Sequence, residues 1–227
     1  MKIAHPELMH APSLEEAERR QEEVRELVRL EPWTRSPHRV AGCDVAYDHD
    51  GVFAYAAAVA VNVETLRTIE SPTARSLCTF PYIPGLFAFR EAPPLVEALR
   101  RLSEPPDLIL VDGHGIAHPR GAGLACHLGV VLDVPAAGCA KTPLGGTWTQ
   151  PPERAGAWSP IEMDGKVVGA AYRHQAHNSP VFVSPGHRVN LDALLTLLPK
   201  LFRDGGRSPL PLQLAHQAAV KSRGRLA

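Results

Sequence analysis

The chain has 227 residues, 44% hydrophobic and 21% charged, a mix that excludes a disordered protein and suits one large domain over residues 1–227. A chain this long buries roughly 70% of the surface its unfolded form exposes, so a full core needs no disulfide or metal staple. Lys and Arg number 24 and Asp and Glu number 24, so the net charge is zero and any grip on nucleic acid has to come from a local patch.

Residues 1–12 read as a loose leader. Ser13 and Glu16 have the form of a capping box, and Leu14, Ala17, Gln21, Val24, Leu27 and Val28 then keep helical spacing. The rest of this helix is mostly Glu and Arg, as on an amphipathic helix packed against a domain, and Pro32 is expected to end it. RVAGCDVAY (39–47), residues 52–63 and residues 66–79 read as three strands whose short links predict an antiparallel meander. PYIPGLF is too rich in Pro and Gly for regular structure. A helix is predicted over 92–102, with Pro93 and Pro94 in its first turn.

LILV (108–111) is a fully apolar strand of the kind found inside a covered parallel sheet. Residues 121–132 read as a helix and 134–140 as a further buried strand. Later strands or edges are expected at 167–172 and 181–184, and helices at 190–202 and 210–222. A meander followed by β-α-β units makes the fold α/β, with a mixed sheet and helices on both faces. Cys43, Cys78, Cys126 and Cys139 form no Cys-x-x-Cys pair and sit in or beside apolar stretches, as buried thiols of a reducing cytoplasm do. MKIAHPELMH lacks the apolar region of a signal peptide, and no apolar run approaches the ~18 residues of a membrane span.

Five features carry chemistry. Asp44 puts a carboxylate inside an apolar strand, which calls for a cation or a paired partner. Asp112 ends a strand just before a glycine-rich loop, where ligands of open α/β sheets sit; capping the turn is the plainer role. Glu91 either complements a helix dipole or joins the acids. Lys141 leaves the strand VPAAGCA, and Ala140 before it excludes a P-loop. Tyr82 and Phe87 ride a loop stiffened by Pro81 and Pro84, either tucked into the core or exposed as a wedge between base pairs.

Hard oxygen ligands without a Cys/His cluster favour Mg²⁺ or Mn²⁺ over Zn²⁺. His114 and His118 lie in a loop with Gly115 and Pro119, which argues against a helical zinc site. His118 in place of a third glycine argues against a dinucleotide fingerprint, and no Gly-x-Ser-x-Gly elbow is present. Carboxylates with a nearby lysine suit phosphodiester hydrolysis, the cation generating hydroxide and the lysine adding a point charge.

DVAY (44–47), PYIPG (81–85), FRE (89–91), VDGHGIAHPR (111–120), AK (140–141) and SPGHRV (184–189) occur in that order. Together they resemble the endonuclease V family, deoxyinosine-directed repair nucleases also called deoxyribonuclease V, over residues 15–220. The resemblance implies an RNase H-like fold with a mixed five-stranded sheet whose first three strands are antiparallel. It implies Mg²⁺-dependent cleavage, with Mn²⁺ substituting, of the second phosphodiester bond 3′ to hypoxanthine, leaving 3′-hydroxyl and 5′-phosphate ends.

By the same resemblance Asp44, Glu91 and Asp112 match the metal-binding catalytic carboxylates, and Lys141 the lysine near the scissile phosphate. His216 matches a histidine beside the metal, and Tyr82 the wedge tip. The flipped base is expected among Gly85, Phe87, Gly113 and Leu124, with His118 adjoining the base or its phosphates. One departure falls in Pro209–His216, where Leu210 and Gln213 stand in place of the family's Glu and Arg.

The resemblance makes inosine-containing DNA the partner of a cytoplasmic monomer. The alternatives are an inosine-specific endoribonuclease, a nuclease of broader damage or structure preference, and a nucleic-acid-binding protein without catalysis. Arg120, Lys141 and Arg188 are expected to edge the crevice as phosphate contacts, with Lys221, Arg223 and Arg225 on a mobile basic tail over 221–227.

Overall fold

The Ser13 hydroxyl accepts from the Glu16 N–H at 3.2 Å and opens helix α1 (Leu14–Leu27), as the capping pattern predicts. Helix α1 buries Ala17, Gln21 and Val24, leaves Leu14 and Leu27 exposed, and ends at Leu27, short of Pro32. The computed structural model describes residues 1–224. Its first twelve residues are not loose. Pro6–Leu8 form a 3-10 turn, the Ala4 N–H donates to the Val131 carbonyl at 2.7 Å, and Leu8 is buried in the core, against which Met1, Ile3 and Met9 also pack. These apolar residues have no local periodicity, so only their distant partners reveal that they dock.

Strands β1 (Arg39–Tyr47) and β2 (Phe53–Asn62) pair antiparallel over their whole lengths. The expected third strand divides into β3 (Thr68–Glu70) and β4 (Thr73–Leu77), both on the outer edge of β2. The break falls at Ser71-Pro72, where proline supplies no ladder N–H. Helix α2 (Ala88–Arg100) starts four residues earlier than predicted, so Pro93 and Pro94 fall in its second turn. There they deny the Phe89 and Arg90 carbonyls their helical donors. Burial of Phe89 beside Phe80, Leu86 and Ala17, and of Ala88 in the main core, draws the helix start back to Phe87.

Strand β5 (Leu108–Val111) lies parallel to β1, and after α3 (Leu124–Leu132) strand β6 (Ala136–Ala140) lies parallel to β5. The five-stranded arrangement implied by the resemblance is thus present, with its first three positions antiparallel. The sheet continues further, to ten strands. Strands β7 (Thr147–Trp148), β8 (Trp158–Met163), β9 (Lys166–Tyr172) and β10 (Val181–His187) extend it antiparallel from β6 in the order β10-β9-β8-β7. Strand β8 escapes the sequence reading because Pro160 and a partly exposed edge blur its alternation.

Helix α4 (Leu191–Leu197) runs into a 3-10 turn, Leu198–Leu201, and α5 (Leu210–Gly224) closes the described chain. The alternation of β5 divides two cores. Ile109 and Val111 pack with α2 and α3, while Leu108 and Leu110 pack with α4 and Leu212 of α5. Helix α5 crosses β1 so closely that a Cβ on Gly42 would stand 2.1 Å from the Pro211 carbonyl oxygen. No described helix is long and apolar enough to cross a membrane.

Candidate active site

Parallel pairing brings the first two acids together. Strands β1 and β5 pair up to Cys43 with Val111, and the Asp112 N–H donates to the Cys43 carbonyl at 3.1 Å. Asp44 and Asp112 are the next residues on each strand, side by side where the ladder ends. Asp44 Oδ1 accepts from the Val45 N–H at 2.8 Å, and Oδ2 accepts from His216 Nδ1 of α5 at 2.7 Å. Glu91 arrives from α2, its Oε1 accepting from the Tyr47 hydroxyl at 3.0 Å. Arg90 holds that tyrosine from the other side, its guanidinium 4.8 Å from the ring centre, while its N–H groups reach the Phe80 and Gly51 carbonyls. Lys141, one step beyond β6, places Nζ 3.7 Å from Asp112 Oδ2.

The acids disturb one another. Burial pushes the Glu91 carboxyl up to about 7; the Tyr47 hydrogen bond opposes this, and the charges of Asp44 and Asp112 add to it. Asp112 is raised above the ordinary carboxylate value by burial and then by Asp44, against Lys141 and His216. Among the described residues Lys141 is the only Lys or Arg that pairs with any of the three acids. A half-buried acid cluster with so little compensation is the setting in which a bound cation is favourable. No three Asp, Glu, His or Cys side chains among the described residues form a ready-made cage. Mg²⁺ does not require one, since it keeps several waters and takes one or two carboxylates along with substrate phosphate oxygens. The all-oxygen acids therefore fit Mg²⁺, whereas a zinc site would need thiolates or several imidazoles, and the one imidazole here, His216, is hydrogen-bonded to Asp44.

Two cavities meet at Asp112. One, of about 200 Å³, is lined by Asp112, Lys141, Leu212, Gln213 and His216. The other, of about 270 Å³, is lined by Gly85, Phe87, Glu91, Gly113, His118 and Leu124. The second cavity thus gathers all five residues expected around a base, together with two of the acids. Its size, just below the ~300–1,000 Å³ of drug-sized ligand sites, suits a single heterocycle.

His118 is buried in the wall of that cavity, and burial, with Arg120 and His114 next, lowers its pKa to about 4. Its Nδ1 accepts from the Arg120 N–H at 3.1 Å, so the neutral ring carries its proton on Nε2. Tyr82 stands outside, 68% exposed, its ring centre 4.5 Å from that of Phe87. Phe80, Leu86 and Phe89 anchor the loop against Ala17, so the tip is exposed on a buried base.

Several expectations are corrected. Arg188 does not edge the crevice. It lies beyond the far end of β10, in the left-handed region, and pairs with Asp133 at 3.4 Å and Glu31 at 4.0 Å. Its sequence neighbourhood carries no information on which end of a strand faces the site. Lys221 and Arg223 belong to α5 rather than to a mobile tail, and Arg223 Nη1 donates to the Tyr47 carbonyl at 3.1 Å; Arg225 lies outside the described residues. Arg120 is engaged by Glu18 at 2.5 Å. At the family departure, Leu210 is buried and Gln213 Nε2 donates to the Ser208 carbonyl at 2.6 Å, so both positions are locally satisfied without charge. Gln21, His114, Thr142 and Leu144 also line the larger cavity, though none was a candidate. Gln21 stood in the sequence only as one member of the helical stripe, with nothing to mark it for the cavity.

The Endonuclease V family model matches residues 22–217. Endonuclease V of Geotalea uraniireducens is 42% identical over 215 residues, covering 95% of this chain and 91% of that protein. The crystal structure of endonuclease V from Streptomyces avermitilis superposes with a TM-score of 0.91 at 39% identity, covering 95% of each chain. That of Ciona intestinalis endonuclease V, in complex with a 24mer DNA containing an inosine followed by a ribo-adenosine, superposes with a TM-score of 0.79 at 23% identity. It covers 92% of this chain and 97% of that one.

Proposed function

The chain belongs to the endonuclease V family, with its RNase H-like fold, and from that premise we propose that it is a DNA repair endonuclease directed at deoxyinosine. The reaction is hydrolysis of the second phosphodiester bond 3′ to the damaged base, leaving 3′-hydroxyl and 5′-phosphate ends. The observation that carries this reading is a shared wall: Glu91 and Asp112 belong both to the acid cluster and to the 270 Å³ cavity that holds Gly85, Phe87, Gly113, His118 and Leu124. Base recognition and phosphate chemistry are thereby joined on one strand end. The complex of the Ciona relative with inosine-containing DNA supports the same substrate class.

Asp44, Asp112 and Glu91 are the residues that would hold Mg²⁺, with Mn²⁺ as substitute. When bound, the cation supplies a hydroxide nucleophile and offsets charge on the scissile phosphate. His216 orients the Asp44 carboxylate through Nδ1–H, and Tyr47 orients Glu91. Exposed Lys141 offers its ammonium to the phosphate and holds Asp112 in the meantime. Tyr82 opens the duplex and replaces lost stacking, while the cavity receives the flipped base. His118, neutral down to about pH 4, presents a hydrogen-bonding edge that does not titrate in the working range.

We also propose that residues 1–227 act as a single monomeric domain in a reducing cytoplasm. All four cysteines are free, and the exposed large apolar side chains are scattered over separate elements.

Nicking of matched DNA and RNA strands, each with one inosine, tests the reading in Mg²⁺, in Mn²⁺ and with chelator. Metal-dependent cleavage of the DNA strand one nucleotide beyond the inosine's own 3′ linkage is the expected result. Cleavage of the RNA strand alone would make the protein an inosine endoribonuclease, and binding without cleavage would remove catalysis from it.

A further inference from the structure

Helix α1 carries one fully buried polar side chain. Gln21 is 1% exposed and stands between Ala17 and Val24 in the stripe that packs on the domain. A buried amide is unfavourable unless its donors are used, and here both are. Nε2 donates to the Gly85 carbonyl at 2.8 Å and to the Ala122 carbonyl at 2.7 Å. Gly85 ends the proline-braced loop and Ala122 leads into α3; Gly85 lines the 270 Å³ cavity, as do Gly123 and Leu124 next after Ala122, and Gln21 lines it too.

On the far side of the amide, Oε1 lies 3.4 Å from Arg120 Nη1, while Arg120 Nη2 donates to Glu18 at 2.5 Å, one turn back on the same helix. Gly85 has φ +83°, a conformation that glycine adopts without strain, and its carbonyl is the one Gln21 holds. Docking of α1 by itself would be served by an apolar residue at this position. The amide is there instead, with one donor on Gly85, which lines the cavity, and the other on Ala122, the neighbour of lining Gly123.

We infer that Gln21 is a positioning and specificity-determining residue: its amide ties the Gly85 and Ala122 carbonyls together, sets the width of the base cavity, and thereby decides which purines enter. What enters the cavity rests on the proposed function; the tie itself does not.

Gln21→Leu keeps the volume and removes both donors. Gln21→Glu keeps the shape and sets a carboxylate oxygen against two carbonyls. Hydrogen exchange of the free protein is read first. In either variant, amides of 83–88 and 121–126 are expected to exchange about tenfold faster or more, as follows from losing two hydrogen bonds, while β1 and β5 stay protected.

Nicking kinetics are read second. KM for an inosine strand is expected to rise about tenfold or more while kcat falls no more than about threefold, and the preference for inosine over adenine narrows. A merely structural role would instead lower kcat and thermal stability together and leave the preference intact. Unchanged exchange in both segments of a folded variant overturns the tie, and altered exchange with unchanged KM and preference overturns its role in specificity. If wild-type protein shows no inosine nicking but the exchange result holds, the tie stands and the proposed function fails. Should Gln21→Leu not fold, Gln21→Glu carries the same readings.

Discussion

Asp112 bears on both cavities and on the acid cluster, so it is the residue where charge and shape separate most cleanly. Asp112→Asn keeps the side-chain shape and removes a charge that burial and Asp44 already disfavour. The variant is therefore expected to fold with undiminished thermal stability and to bind inosine DNA. It should lose nicking by about a thousandfold, about 4 kcal/mol of barrier. Near-normal nicking in Mg²⁺ would remove Asp112 from the catalytic set. Tyr82 presents the opposite case, an exposed ring on an anchored loop. Tyr82→Ala is expected to slow cleavage of duplex substrate about tenfold more than cleavage of a single strand, because only the duplex has stacking to replace. Equal losses on both substrates would make the ring a packing residue. Asp44 and Asp112 were legible in the sequence, since a carboxylate inside or at the end of an apolar strand is an anomaly in its own segment, whereas Glu91, which could equally complement a helix dipole, was placed among the acids by the family resemblance. Gln21 was not legible, because an amide is unremarkable until the two carbonyls it meets, 64 and 101 positions away, are known.

At the scale of elements, α5 and β1 form one functional unit. Their contact at Gly42 leaves no room for a side chain, and further along the same pair of elements His216 meets Asp44, Ala219 packs on Ala46 and Arg223 reaches the Tyr47 carbonyl. Gly42→Ala is expected to displace α5 and cost roughly 1–3 kcal/mol by overpacking. Through the lost His216 contact it should also lower kcat. Thermal melts and nicking rates on the same preparation check this, and a melt unchanged from wild type would show that the contact yields. Helix α2 teaches a related lesson. The rule that places proline in a first turn misplaced the helix start by four residues, because burial of Phe89 outweighs the two lost hydrogen bonds. The consequence is functional, since Glu91 stands on a formed turn rather than at a fraying end.

At the scale of the whole molecule, acid stability depends on buried histidines. His127 is fully enclosed; its Nε2 donates to the Leu8 carbonyl at 2.8 Å, its ring meets the edge of Phe89, and burial lowers its pKa to about 4. The unfolded chain takes up this proton near pH 6.5 and the native chain only near pH 4, so unfolding binds a proton between those values. Stability is therefore retained above about pH 6.5 and lost as the pH falls toward 4, by up to roughly 3 kcal/mol from this side chain. Urea unfolding at pH 7, 5.5 and 4.5 reads the slope. His127→Leu is expected to flatten it, while lowering stability at pH 7 by leaving the Leu8 carbonyl unpaired. An equal slope in the variant would assign acid sensitivity to His114, His118 and His187, whose pKa values burial also lowers.

The sequence by itself determined the α/β class, the meander, the buried strands β5 and β6, and the acids that stand out against apolar surroundings. These follow from local patterning, where the period of apolar residues and the oddity of a charge are visible within ten residues. Tertiary structure alone decided the width of the sheet, the docking of residues 1–12, the end of the molecule at which Arg188 falls, and the role of Gln21. Each of these depends on pairing between segments far apart in the chain. Backbone hydrogen bonds and carbonyl ties leave no mark on the identity of the residues that make them.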